Sequence, residues 1–272
     1  MAHKTLIGGT AYNITSGTSM VSGTTYSISG GRTLIDGTGY DINFASPKTA
    51  MLYSDGSFVF QIGDGVESGK TLTASYTDFE DISTPPWNSR QNTFTSVNFN
   101  TEVMPISIAS WFYNARYMIA NISNFSNLNM NNVTSMASTY RYCHNLTGSP
   151  VCGDKVTNMA SAYFYCYNLT GSPVCGNNVT NMYYTYHNCS NLNAGTFYFR
   201  AKNITNIASC FYGKNNSRRY NIHVPAGSNT LNLIYNTTNT DSIVGATITW
   251  TNSGQNFYNT TYNIYIYANS SL

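Results

Sequence analysis

Apolar residues recur through the middle third of the chain at fixed places in a unit of 23 residues. VTSMASTYRYCHNLTGSPVCGDK begins at Val133, VTNMASAYFYCYNLTGSPVCGNN at Val156, and VTNMYYTYHNCSNLNAGTFYFRAKN at Val179. Aligned on the Met or Ile of each unit, Ile108, Met136, Met159, Met182 and Ile207 form a first column. Four residues later the column is always aromatic: Phe112, Tyr140, Tyr163, Tyr186 and Phe211. Seven later it runs Ala115, Cys143, Cys166, Cys189, Lys214, and ten later Met118, Leu146, Leu169, Leu192. Offsets 0, +4 and +7 share one face of a helical turn, while +10 enters the next strand. Each unit is therefore expected to hold one short helical segment and one short strand, joined by Asn- and Gly-containing turns. Self-similarity at a period of about 20–50 residues means a stacked solenoid, in which each coil buries its apolar side only on its neighbours. About five coils are expected, ending where Lys214 breaks the small column and the polar KNNSRR follows.

A shorter repeat occupies the first 42 residues. LIGGTAYNI, MVSGTTYSI and LIDGTGYDI place Gly9, Gly23 and Gly37 at intervals of 14, and Tyr12, Tyr26, Tyr40 and Ile14, Ile28, Ile42 keep that interval. Each unit reads as a β-hairpin whose two-residue turn, Gly8-Gly9, Ser22-Gly23 or Asp36-Gly37, can adopt φ > 0. Hairpins this short are marginal alone. They need a partner: the next repeat, another copy of the chain, or a host surface. The six Tyr and Ile positions are thus candidates for anchoring or oligomerisation, as a stalk that associates into a homotrimer. The alternative is a small meander packed on the rest of the same chain. Residues 48–94 carry strand–turn–strand signals around Asp55-Gly56 and are expected to cap the first coil. YNIHVPAG, ATITWT and YNIYIYA read as strands of a C-terminal cap. The expected fold is mainly β with short helical segments, divided as 1–47 hairpin repeats, 48–94 β cap, 95–218 leucine-rich-repeat-like solenoid, and 219–272 C-terminal β domain.

Composition narrows the work such a fold does. Charged residues are 9% of 272, and the formal net charge is +2. That is too little clustered cation for phosphate-driven nucleic-acid binding. The N-terminus has no apolar run of seven residues or cleavage-site pattern, so no secretory signal is expected. No stretch reaches the roughly 20 apolar residues of a membrane span, so no membrane insertion is expected. The six cysteines include no C-x-x-C pair of the zinc type. Cys143, Cys166 and Cys189 share one place in the repeat and Cys152 and Cys175 another, which reads as small apolar core residues; stacked disulfides and a metal site are the alternatives. Asp78, Glu80 and Asp81 are the only tight carboxylate group, and they lack a partner His. The motifs of common hydrolases and phosphate loops are missing. No enzyme, no cofactor and no metal is expected.

Columns that stay constant are core; columns that change face solvent. The changing ones are +5 (Arg141, Phe164, His187, Tyr212), +6 (Tyr142, Tyr165, Asn188) and +8 (His144, Tyr167, Ser190), with Tyr183-Tyr184 replacing Ala-Ser at +1 and +2. Tyrosine gives wide contact area at low entropic cost, and Asn and Ser give adaptable hydrogen bonds. Candidate receptor-binding residues are Arg141, Tyr142, His144, Phe164, Tyr165, Tyr167, Tyr183, Tyr184 and His187. Carbohydrate suits such a set, since its C–H faces stack on aromatic rings. The bland alternative is a tyrosine-rich surface that only solvates the coil or meets a neighbouring subunit.

VTSMASTYRYCHNL, VTNMASAYFYCYNL and VTNMYYTYHNCSNL resemble the BspA-like leucine-rich repeat family, whose units read N-V-T-x-M-x-x-x-F-x-x-C-x-x-L, with Tyr here in place of the usual Phe. The likeness covers roughly residues 100–215. The KTLIGGTAYNI, GRTLIDGTGYDI and LYSDGSFVFQ stretches and the ATITWTNSGQNFYNTTYNIYIYA tail look like structural proteins of tailed bacteriophages of Gram-positive gut bacteria. That resemblance implies a non-enzymatic virion surface protein, a tail, neck or head fibre or adhesin-like receptor binder. It would be made in the host cytoplasm, attach to other virion proteins through its N-terminal repeats, and bind a bacterial surface glycan or protein receptor. A decoration or connector subunit, and a bacterial cell-surface adhesin, are the alternatives. The repeat array is short for the family, which leaves a small binding face.

Overall fold

The computed structural model describes residues 3–7, 10–14, 18–21, 24–27, 31–35, 38–42, 47–118, 122–123, 125–237 and 239–272. The chain divides into two compact units, Met1–Ser46 and Pro47–Leu272. In the first, backbone alone is described. β1 (His3–Ile7) pairs antiparallel with β2 (Thr10–Ile14), β3 (Thr18–Val21) with β4 (Thr24–Ser27), and β5 (Gly31–Ile35) with β6 (Thr38–Ile42). Ile7 faces Thr10, Val21 faces Thr24 and Ile35 faces Thr38, so each 14-residue unit is a hairpin closed by two residues. The turn residues themselves lie outside the described residues, as does Ile28.

The second unit is mainly β, with one α-helix and four single 3₁₀ turns among the described residues. Its first sheet contains β7 (Lys48–Tyr53), β8 (Ser57–Ile62), β9 (Leu72–Tyr76), β10 (Ser96–Phe99) and β11 (Ile122–Ser123), in the order β11-β10-β8-β7-β9. β7 and β8 are the antiparallel hairpin expected around Asp55-Gly56. Gly56 is required there. It has φ +81°, and a Cβ would lie 2.4 Å from the Thr93 carbonyl oxygen. Phe58, Phe60, Phe79, Trp87, Phe94, Phe99 and Trp111 fill the core beneath this sheet. Trp87 donates from Nε1 to the Trp111 carbonyl at 2.8 Å. β8, β10 and β11 run parallel, so the sheet passes across residue 94 into the repeats.

The second sheet has the order β12-β13-β16-β15-β14, from β12 (Gly195–Tyr198), β13 (Tyr220–Pro225), β14 (Thr251–Ser253), β15 (Asn256–Asn259) and β16 (Ile264–Asn269). Helix α1 (Asn229–Asn236) follows β13, its N-terminus capped by the Ser228 side chain, which accepts from the Leu231 N–H. Two of the three expected C-terminal strands form as read. The third does not: 246–250 has no regular structure, and only Thr251–Ser253 pairs. β12 and β13 pair in parallel across residue 218, so this sheet too is continuous with the repeats.

Between the sheets, the +0 to +7 stretch of each unit is not helical. It is a run of overlapping turns. In the second unit the N–H groups of Thr139, Arg141 and Cys143 donate three residues back, to Met136, Ser138 and Tyr140, while Met136, Ser138, Tyr140 and Tyr142 donate to Asn158, Ala160, Ala162 and Phe164 of the next unit. The same alternation recurs from 108, 159 and 182. Odd offsets thus close their own turns, and even offsets reach the following segment. In these four units every backbone donor from offset 0 to +7 has an acceptor, the +1 N–H using the side-chain oxygen two residues back, as a buried non-helical backbone must. The alternation requires left-handed residues at +2 and +6: Ser138 and Tyr142 have φ +56° and +65°, Ser161 and Tyr165 +55° and +60°, Tyr184 and Asn188 both +57°. The helical expectation failed because offsets 0, +4 and +7 also share a face in this turn ladder, which periodicity cannot tell from a helix. Parallel bridges Ser107–Ser135–Asn158–Asn181–Asn206 tie the same segments together one residue before the Met column. The ladder does not stop at Lys214: Ser209 and Phe211 pass their hydrogen bonds to Ser242 and Ile243.

The inward columns follow from this spacing. Rings of Phe112, Tyr140, Tyr163, Tyr186 and Phe211 stack with centroids 5.4, 5.2, 5.5 and 5.7 Å apart. The Tyr163 hydroxyl accepts from the Val151 N–H at 2.8 Å and donates to the Val151 carbonyl at 3.0 Å; Tyr186 does the same to Val174. These paired hydrogen bonds to the returning SPVCG loop give Tyr163 and Tyr186 a role that Phe could not fill. All six cysteines are free. Cys143, Cys166 and Cys189 donate to the carbonyls of Phe112, Tyr140 and Tyr163 at about 3 Å. Burial raises the pKa of every thiol, that of the half-exposed Cys152 to about 11.

Candidate functional site

The ladder sends +5, +6 and +8 away from the ring column, so those side chains of successive segments lie over one another. At +5 the Arg141 guanidinium sits 4.5 Å above the Phe164 ring, Phe164 stacks on His187 at 4.7 Å, and His187 stacks on Tyr212 at 4.5 Å. At +6 Tyr142 and Tyr165 are 5.7 Å apart, and at +8 His144 and Tyr167 are 5.1 Å apart. The columns also touch sideways. Tyr142 meets Phe164 edge-on at 5.4 Å, Tyr165 lies 4.5 Å from Phe164 and 5.4 Å from Tyr167. The Tyr183 and Tyr184 rings stack at 3.9 Å, and Tyr184 reaches His187 at 4.7 Å. All nine candidate residues therefore belong to one connected aromatic strip. Ring pairs of this kind add about 0.5–1.5 kcal/mol each beyond burial, enough to hold the side chains in place before any ligand arrives.

Their exposure is unequal. Tyr167 and Tyr183 are open, while Phe164 keeps only 8% of its surface. Phe164 varies between repeats yet is covered, because Arg141, Tyr142, Tyr165, Tyr184 and His187 close over it. It is the floor of the strip rather than a contact residue. Tyr113, 6.0 Å from Tyr142, and Tyr212, 45% exposed, extend the strip at its two ends. Tyr113 is the +5 residue of the unit built on Ile108, so the same alignment that gave the other +5 positions could have found it.

The strip holds one permanent charge. Arg141 forms no ion pair among the described residues; its Nη2 is 3.4 Å from the Tyr142 hydroxyl, and its Nε is buried with no partner. Burial lowers the pKa of His187, and the Arg141 charge lowers it further against an opposing backbone hydrogen bond at Ser209. Burial and Arg116 lower that of His144. Both shifts favour the neutral imidazole, so the surface is chiefly an aromatic and hydroxyl face with a single guanidinium. Such a face can stack on C–H surfaces, donate and accept hydrogen bonds, and take one anionic group.

The anchoring candidates belong to the first unit. Tyr12 and Ile14 are on β2, Tyr26 on β4, and Tyr40 and Ile42 on β6, with Ile28 outside the described residues. The acidic turn is engaged structurally: Glu80 pairs with Lys48 at 2.9 Å. Among the described residues no group of three His, Cys, Asp or Glu is placed to hold a metal, and no helix is long and apolar enough to cross a membrane.

A second aromatic face escaped sequence reading altogether. On the outer side of the second sheet, Tyr198, His223 and Tyr267 lie in register across β12, β13 and β16, with His223 stacked on Tyr267 at 4.9 Å. Arg219 lies 3.7 Å over Tyr265. The alternation of YNIHVP and IYIYAN marks which residues face outward, but their register across three distant strands is not local information. No protein family, curated protein or solved structure matches the chain.

Proposed function

We propose that this protein is a non-enzymatic surface component of a bacteriophage virion, and that the aromatic strip binds a receptor on the host cell envelope. The observation that supports it is the convergence of nine variable residues, from three successive repeats, into one preorganised Tyr- and His-rich face. In this reading the turn ladder is a short leucine-rich-repeat-like solenoid of the BspA type. The sheet at each end covers apolar surface that a stacked array would otherwise expose. The 14-residue hairpins, each too small to stand alone, attach to other virion proteins or associate as a trimer. Recognition is by stacking and hydroxyl hydrogen bonds, chemistry that suits glycans, with Arg141 favouring a receptor that carries a carboxylate or other anion.

Purified protein carrying Tyr142→Ala, Tyr165→Ala and Tyr167→Ala together tests this. Binding to isolated envelopes of the host bacterium is expected to fall at least tenfold with the fold intact. Unchanged envelope binding, with failed incorporation into particles, assigns the strip to virion architecture instead.

A further inference from the structure

The second sheet carries a cleft unrelated to the strip. It measures about 610 Å³, within the range of small-molecule sites. One wall is helix α1, with Leu231, Asn232 and Tyr235; the other is the β14–β15 hairpin, with Asn252, Gln255 and Asn256. The floor is Phe257, which is buried and meets the Tyr235 ring edge-on at 5.1 Å. Tyr235 is 42% exposed, and its hydroxyl accepts from the Asn252 side-chain amide at 3.0 Å, which fixes the ring at the cleft. Asn256 uses its carbonyl oxygen on the Ala268 N–H, so its amide NH₂ remains. The side-chain amides of Asn232 and Gln255 make no hydrogen bond among the described residues. No lining residue is charged.

We infer that this cleft binds a neutral saccharide, one sugar ring stacked on Tyr235 and its hydroxyls bonded to the amides of Asn232, Gln255 and Asn256. The chemistry matches the ligand in three ways. A fixed, half-open ring offers a platform for a C–H face. Planar amides pair a donor with an acceptor at the spacing of neighbouring hydroxyls. The uncharged lining gives an acidic sugar or a phosphate no counter-charge to repay its desolvation. Leu231 and Phe257 supply the apolar remainder, as small-ligand sites require. A site here and a site on the strip stand or fall separately.

The test uses the full chain on a printed array of neutral hexose and N-acetylhexosamine oligosaccharides. Binding to at least one neutral saccharide is expected, kept by the Tyr142/Tyr165/Tyr167→Ala variant and lost at least tenfold in Tyr235→Ala. Gln255→Ala, on an exposed turn where folding is not at risk, should weaken it about threefold or more. Tyr235→Phe, which keeps the ring, should stay within about threefold of the parent. The inference is overturned if no neutral saccharide binds, if Tyr235→Ala and Gln255→Ala bind as the parent does, or if the signal disappears in the strip variant instead. Capture of peptides along the open edge of β14 without any saccharide overturns it as well.

Discussion

Tyr163 and Tyr165 are two residues apart on one turn of the ladder, and they show two uses of the same side chain. Tyr163 is 1% exposed, stacked between Tyr140 and Tyr186, with its hydroxyl bonded twice to Val151. Tyr165 is half-buried and touches Tyr142, Phe164, Tyr167 and His187, a mixed set of rings meeting it at different angles. The backbone hydrogen bonds fix both positions equally well. What differs is the company. Inward, each ring must match its neighbours above and below, so the column stays aromatic through five units. Outward, the backbone bonds already hold the segment, so side chains are free to vary and recognition can be written there without cost to the stack.

The largest effect that would sharpen this contrast is on stability. Tyr163→Ala removes a buried ring and leaves the backbone groups of Val151 unpaired, and a loss of about 3–5 kcal/mol is expected in denaturant unfolding. Tyr163→Phe keeps the ring and should lose about 1–3 kcal/mol, the cost of the orphaned Val151 N–H and carbonyl. Tyr165→Ala should lose less than either. Equal losses at 163 and 165 would break the distinction between scaffold and surface.

Lys214 is next, as the one buried charge in the small column. Burial lowers its pKa to about 8, although its ammonium donates to the Arg218 carbonyl at 3.1 Å and lies 4.6 Å over Tyr220. A base whose folded pKa lies below its unfolded value carries its full penalty below the folded pKa, and the penalty fades as pH rises toward the unfolded one. Stability of the parent should therefore climb between pH 8 and the onset of tyrosine ionisation near pH 10. Lys214→Met should be more stable at pH 7, on the order of 2 kcal/mol, and should lack that climb. A parallel pH profile for the two proteins would place the ammonium in water. A smaller effect concerns the thiols. Six should react per chain in denaturant without prior reduction. In the native protein reaction at pH 8 should be slow, with Cys152 first, because burial holds the thiolate fraction low. Fewer than six would mean disulfides.

Much of this fold was legible in the chain. The constant columns, from Met136 to Leu146 and their equivalents, are in the core, and the three hairpins pair where the 14-residue interval places them. The turn ladder was not legible, since offsets 0, +4 and +7 fit a helix as well, and the left-handed φ at Ser138, Tyr142 and their equivalents falls on residue types that do not announce it. The continuity of the repeats with both flanking sheets rests on parallel pairing between distant strands, which has no local signature. Variation between repeats singled out nine residues whose side chains the fold brings together. Covering of Phe164 by its neighbours depends on how segments superpose. The α1 cleft depends on a helix meeting a hairpin some twenty residues away, and nothing in either sequence marks it alone.

We propose that the outward aromatic strip recognises a host receptor while the inward columns hold the stack. Adsorption of phage particles carrying the Tyr142/Tyr165/Tyr167→Ala protein tests it most directly. The account predicts particles of normal yield and composition whose adsorption to the host falls at least tenfold. Particles that adsorb normally, or that fail to assemble, would contradict it.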